Sequence, residues 1–172
     1  MTKQNTVLEV KELVERFQLK PHPEGGFYSE TYRDPRQIQT SAGPRNASTA
    51  IYYLLDRGAY SAWHRIASDE LWHFYAGAPL LIHVLDESGT LITHRLGNAM
   101  QAQDASFQIS VPARHWFAAE LEQPDTWALV GCTVAPGFEF SEFELAGTAE
   151  LLKLAPEHQE LIQRLAAKGA HS

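Results

Sequence analysis

Two side chains stand out for chemistry: His64 and Glu70, in the stretch Trp63-His64-Arg65-Ile66-Ala67-Ser68-Asp69-Glu70-Leu71-Trp72-His73-Phe74-Tyr75-Ala76-Gly77. They sit on two adjoining segments of strand-like composition, and Gly77 closes the second. In a small barrel both would aim into one cavity. A histidine with an ordinary pKa near 6.5 suits general-base work. A carboxylate beside it would orient the ring and stabilise its protonated form.

Alternation decides which neighbours join them. Successive strand residues point to opposite faces, so Glu70, Trp72 and Phe74 share one face and Leu71, His73 and Tyr75 the other. With Glu70 inside, Trp72 and Phe74 form a candidate ligand-binding wall. Trp63, Arg65, His73 and Tyr75 fall outward and are candidate subunit-contact residues. Tyr28 and Tyr32 share a face of an earlier strand, and either could donate a proton to a sugar or ketone oxygen. Arg33 and Arg45 flank a long polar stretch, where either could clamp a carboxylate or phosphate bidentately. His22 reads as a turn residue, and His83 and His94 stand singly on strands.

These residues must be positioned by short strands. From Ser48 onward the hydrophobic period is two, giving candidate strands at 49–55, 61–66, 70–76, 80–85, 90–96, 107–111, 115–119 and 127–134, with a last one near Phe143. Asp86-Glu87-Ser88-Gly89 is a hairpin turn. Many evenly spaced strands without helices between them predict an all-β sandwich or barrel. Ahead of it, Thr6-Val7-Leu8-Glu9 reads as a capping box opening a helix with Val10, Leu13, Val14 and Phe17 on one face. Residues 19–26 form a rigid turn, 27–33 a strand, and 34–47 a long surface loop. Pro156 opens a final helix ended by Gly169.

The chain has 172 residues, 44% apolar and 20% charged, with a net charge of −7. That supports one soluble domain over 1–172, with a barrel core near 20–147. The negative balance argues against nucleic acid as partner. Cys132, the one cysteine, excludes a disulfide framework and reads as a small core residue. No apolar run of membrane-span length or signal-peptide type is present, so a cytoplasmic location is expected.

The residues resemble the cupin superfamily, a double-stranded β-helix of jelly-roll type. His64, Glu70 and Gly77 match the first cupin motif, and Pro112 the proline of the second. More narrowly, three stretches resemble a branch of small cupins catalogued as predicted epimerases. These are Pro-His-Pro-Glu-Gly-Gly (Pro21 to Gly26, carrying Glu24), Ser-Asp-Glu-x-Trp (Ser68 to Trp72) and Val-Gly-Cys-x-Val-x-Pro-Gly-Phe (Val130 to Phe138). The resemblance implies short helices flanking the barrel and a homodimer.

The chain departs from the superfamily at two positions. Ile66 stands where the first motif has its second histidine, and Phe117 where the second motif has its histidine. His64 and Glu70 alone are too few for a metal site, so no cofactor is required, and a divalent metal would need His115 as third ligand. Three readings stay open. The first is an isomerase or epimerase acting on a small carbohydrate or nucleotide sugar, with His64 as base, Glu70 orienting it and Tyr28 or Tyr32 returning a proton. The second is a small-ligand-binding module, with Glu24, Arg33, Trp72, Phe74, His115 and Phe117 as lining. The third is a metal-dependent enzyme holding its ion on His64, Glu70 and His115.

Overall fold

The computed structural model describes the backbone of residues 3–168 and the side chains of residues 9–168. Helix α1 (Lys3–Arg16) leads into β1 (Lys20–Pro21), β2 (Phe27–Arg33), β3 (Gln37–Thr40), β4 (Gly43–Asn46), β5 (Thr49–Asp56), β6 (Tyr60–Arg65) and β7 (Asp69–Gly77). Then follow β8 (Leu80–Leu85), β9 (Leu91–Leu96), β10 (Gln108–Val111), β11 (Trp116–Leu121), β12 (Trp127–Ala135) and β13 (Glu144–Leu145). Helices α2 (Thr148–Leu154) and α3 (Gln159–Arg164) close the described chain.

The strands make two antiparallel sheets, β1-β2-β5-β12-β7-β10 and β13-β6-β11-β8-β9, with β3-β4 as a separate hairpin. Alternation along each strand sends one set of side chains between the sheets. Tyr53, Trp72, Ile82, Val84, Phe117 and Val130 pack there and are almost fully buried. Burying one such side chain contributes roughly 1.5–3 kcal/mol. The outer faces are covered in part by the helices. Val10, Leu13, Val14 and Phe17 of the N-terminal segment lie against Leu54 and Leu129. Leu151, Ile162 and Leu165 of the C-terminal segment lie against Trp63, Leu85 and Trp116.

Several expectations shift. The helix begins at Lys3, so Thr6 lies within it rather than capping it. The stretch expected as a loop over 34–47 is pinned as the β3-β4 hairpin, closed by Thr40 Oγ1 donating to the Gly43 carbonyl at 2.7 Å. The C-terminal region holds two helices, with Pro156 opening a single 3-10 turn between them. Gly169 lies outside the described residues. Trp63 faces outward as alternation requires, yet the C-terminal helices cover it, so it is no surface for a partner. Arg65 stacks on Trp116 at 4.1 Å and pairs with Glu144. His73 and Tyr75 do lie on the outer face of the six-stranded sheet, where His73 Nε2 is 2.9 Å from Thr133 Oγ1. Among the described residues no helix is long and apolar enough to cross a membrane.

Candidate functional site

One end of the barrel holds a cavity of about 290 Å³ into which His22, Glu24, Tyr28, His64, Glu70 and Cys132 project. It is built from the turn before β2 and from strands β2, β5, β6, β7 and β12. The turn follows a path open to glycine alone. Gly25 and Gly26 have φ of +110° and +74°, and a side chain on Gly25 would collide with the Tyr60 carbonyl. That close approach brings Glu24 onto β6, where its carbonyl accepts from the Ala62 N–H at 2.8 Å. Its carboxylate is thereby delivered into the barrel.

There it meets His64. Glu24 Oε2 lies 2.9 Å from His64 Nε2, and both groups are buried. The other ring nitrogen, Nδ1, is 2.7 Å from the Ala62 carbonyl. A carbonyl only accepts, so Nδ1 carries a proton. Nε2, facing a carboxylate, carries one too. Burial alone would push the His64 pKa down, but the charge and hydrogen bond of Glu24, with the charge of Glu70, carry it above the ordinary value. Glu24 is opposed by burial as well, yet the charges of His64 and His22 and a hydrogen bond from His64 hold it below the ordinary carboxylate value. The pair is an imidazolium and a carboxylate. His22 completes the turn by accepting the Glu24 N–H on Nδ1 at 3.1 Å, and burial holds its pKa low.

Glu70 enters from β7 and has no such partner. Burial pushes its pKa up to about 7, against the pull of His64 and with the added push of Glu24. The Cys132 thiol beside it is likewise raised well above its ordinary value by burial. Two carboxylates thus share one cavity in opposite states, Glu24 fixed as an anion and Glu70 poised near neutrality.

The mouth is aromatic. After β12 the chain turns back over the opening as a flap, with Phe138, Phe140 and Phe143 around Tyr28 and His22. Phe143 lies 5.3 Å from the His64 ring, and Phe140 is 47% exposed at the rim. Two arginines bolt the flap down. Arg45 is buried, donates to the Gly137 carbonyl at 3.2 Å and pairs with Glu142. Arg33 donates to the Phe138 carbonyl at 3.0 Å.

The expected site residues separate into three groups. His64, Glu70, Glu24, Tyr28 and Arg33 line the cavity. Trp72, Phe74 and Phe117 belong to the apolar core between the sheets, where Phe117 packs 4.1 Å from the His64 ring. They support the floor of the site rather than its wall. Tyr32 and His115 lie elsewhere. A bulge at Thr31 shifts the register of β2 against β5, so that Tyr28, Glu30 and Arg33 face in while Tyr32 turns out to 50% exposure. His115 precedes β11, next to Asp86, and does not reach the cavity.

Arg33 is also not free to clamp an anion. Its five N–H groups donate to Glu30 Oε1 (2.8 Å) and Oε2 (2.9 Å), Asn46 Oδ1 (3.0 Å), Glu139 Oε1 (3.1 Å) and the Phe138 carbonyl. Lys20, His22, Glu30, Phe140 and Phe143 are lining residues that sequence reasoning passed over. The aromatic spacing just after the Pro-Gly-Phe motif was the one available signal for the last two.

A resident metal does not fit this donor set. Both His64 nitrogens are committed within the protein, His22 Nδ1 accepts a backbone hydrogen, and Ile66 lines the wall where a ligand would stand. No group of three or more His, Cys, Asp or Glu among the described residues is arranged to hold an ion.

Comparison with known proteins gives a consistent picture. A family model described as Cupin superfamily (DUF985) matches residues 11–146. The solved structure of protein SO0799 from Shewanella oneidensis is 36% identical, with a TM-score of 0.83 over 91% of this chain and 96% of that one. A hypothetical protein from Leishmania major is 31% identical, with a TM-score of 0.83 over 92% and 98%. The uncharacterized protein YML079W of Saccharomyces cerevisiae is 27% identical, over 84% of this chain and 79% of that protein.

Proposed function

The chain belongs to the DUF985 family of the cupin superfamily, and we propose that within it this barrel performs acid–base chemistry on a small polyhydroxy carbonyl compound, as an isomerase or epimerase. The observation that carries the reading is the pairing of His64. With both ring nitrogens donating, to Ala62 and to Glu24, His64 is a fixed cation and has no lone pair to act as base. The base is then Glu70, whose pKa of about 7 matches the task.

In this mechanism Glu70 takes a proton from the carbon next to the substrate carbonyl. The electron pair of that C–H bond moves to the carbonyl oxygen, giving an enolate. The imidazolium of His64 lies in the same cavity and, with both N–H groups committed to Ala62 and Glu24, acts on the developing negative charge through the field of its charge and not through a hydrogen bond. Glu24 keeps His64 protonated and oriented. Tyr28 hydrogen-bonds a substrate oxygen from the mouth. The proton of the neighbouring hydroxyl passes to the enolate oxygen, the new carbonyl forms on the oxygen that released it, and Glu70 gives its proton to the former carbonyl carbon, which interconverts aldose and ketose and leaves the enzyme unchanged.

The test is incorporation of deuterium from solvent into the carbon beside the carbonyl of free ketoses and aldoses. Exchange catalysed by the wild type and abolished in Glu70→Gln supports the reading. Exchange that survives Glu70→Gln at the wild-type rate contradicts it. The aromatic mouth favours a second reading, a sugar-binding module; bound sugar with no exchange would select it. We also propose a homodimer through the outer face that includes His73 and Tyr75. Sedimentation at 19.3 kDa would contradict that.

A further inference from the structure

Resting on the proton-transfer reading, we propose that the cavity selects uncharged polyhydroxy carbonyl compounds and rejects their phosphate esters and nucleotide-linked forms, because its cations are already spent on the protein itself. A phosphate is held by arginine forks, free ammonium groups and unpaired N–H donors. Here each arginine near the cavity is consumed. All five donors of Arg33 are occupied, three of them by the carboxylates of Glu30 and Glu139. Arg45 is buried against Glu142 and the Gly137 carbonyl. His64 donates to Ala62 and Glu24. The flap backbone is used in the same way: the Gly137 N–H bonds the Asn46 carbonyl at 2.7 Å and the Phe138 N–H bonds Thr49 Oγ1 at 2.9 Å.

What faces the ligand is therefore a surplus of acceptors. Glu24, Glu30, Glu70 and Glu139 all line the cavity. Carboxylates accept hydroxyl hydrogens well and repel a phosphate. Lys20 is the one lining cation with no ion-pair partner among the described residues, and it sits at the rim, its Nζ 5.3 Å from the Tyr28 ring. Paired with His64 and Arg33, the carboxylates of Glu24, Glu30 and Glu139 cancel those lining cations, and one rim ammonium does not balance a dianion. The aromatic mouth suits the C–H faces of a sugar ring. A volume of about 290 Å³ lies at the low end for ligand pockets and can enclose a sugar but not a nucleotide beside it.

The experiment has two arms, neither of which needs turnover. In the first, inorganic pyrophosphate is titrated against the wild type and the Glu30→Gln/Glu139→Gln double variant, followed by thermal shift. The wild type is expected to show no stabilisation. The double variant, with Arg33 released, is expected to bind at least about tenfold more tightly, and adding Arg33→Ala should remove the gain. Glu139→Gln alone serves if the double variant does not fold. Stabilisation of the wild type that Arg33→Ala removes would overturn the proposal. So would a released variant that still ignores pyrophosphate. In the second arm, saturation transfer from the protein is measured to free ketohexoses and to their phosphates. Signal from the free sugars alone is expected; signal from the phosphates, or from neither, would overturn the substrate class. A free sugar that binds but never exchanges deuterium would sink the catalytic reading and leave this one standing.

Discussion

Glu24 Oε2 lies 2.9 Å from His64 Nε2, and this contact, rather than one with Glu70, sets the state of the histidine. The turn that carries Glu24 and the strand that carries His64 are held together by backbone hydrogen bonding, so the pair is fixed before any substrate arrives. The result divides labour between two carboxylates. Glu24 maintains a cation, and Glu70 is left to exchange protons.

Glu24→Gln tests that division. The amide keeps the size of the side chain and removes its charge, so the His64 pKa is expected to fall toward or below its ordinary value. Loss of the stabilising cation should lower kcat by about 10²–10³, the scale for one preorganised charge or donor, with KM little changed. Steady-state kinetics beside a histidine titration would check both; an unchanged kcat with a lowered His64 pKa would break the link between them.

The pH dependence of kcat/KM follows from the two groups. Glu70 must be deprotonated, so activity rises with pH through about 7. His64 must stay protonated, so activity falls again once pH passes its elevated pKa. A bell-shaped profile is expected, and Glu24→Gln should bring its alkaline limb to lower pH. A profile with no acid limb near neutrality would remove Glu70 as base.

Glu70 also costs stability. Its pKa is raised from 4.5 to about 7 by burial, so the folded protein binds that proton more tightly than the unfolded chain. The stabilisation is fully present below about pH 4.5 and is lost as pH rises through about 7. Glu70→Gln should therefore raise stability at alkaline pH, by roughly 3 kcal/mol at most, and have little effect in acid. Denaturant unfolding at the two pH values measures the difference; a variant less stable than wild type at alkaline pH would contradict the account.

Arg45 holds the flap. Arg45→Met removes the partner of Glu142 and the donor to the Gly137 carbonyl. A loss of about 3 kcal/mol is expected for breaking such a buried pair. KM should rise, since Phe138, Phe140 and Phe143 are no longer held over the mouth, while kcat at saturation changes little. A fall in kcat with an unaltered KM would place Arg45 in the chemistry instead.

Because the donor set does not suit a metal, exhaustive treatment with a chelator is expected to leave activity within about twofold of the untreated protein, with Glu70 supplying the proton transfer. Elemental analysis beside the assay checks this. Stoichiometric metal whose removal abolishes activity would overturn the mechanism.

Much of this was legible in the sequence. The strand period placed the barrel, and simple alternation put His64 and Glu70 inside and His73 outside. Alternation failed where the backbone broke it: the bulge at Thr31 exchanged the faces of Tyr32 and Arg33. The partner of His64 was missed because Glu24 reaches it through a glycine turn, and strand periodicity carries no information about such a contact. The same holds for Arg33. Its type suggested an anion clamp, while its saturation by Glu30, Glu139, Asn46 and the Phe138 carbonyl is a property of the folded surface. Trp72 and Phe117 had the right parity for a ligand wall, but they stand deeper in the core than the cavity reaches.

In this mechanism His64 is a held cation and not a base. The nitrogen-15 NMR spectrum of the imidazole rings at neutral pH tests it most directly. Both His64 nitrogens are expected to resonate as protonated, each coupled to its own hydrogen, and the Nε2 hydrogen to shift in Glu24→Gln. A His64 with one unprotonated ring nitrogen at neutral pH would contradict the account.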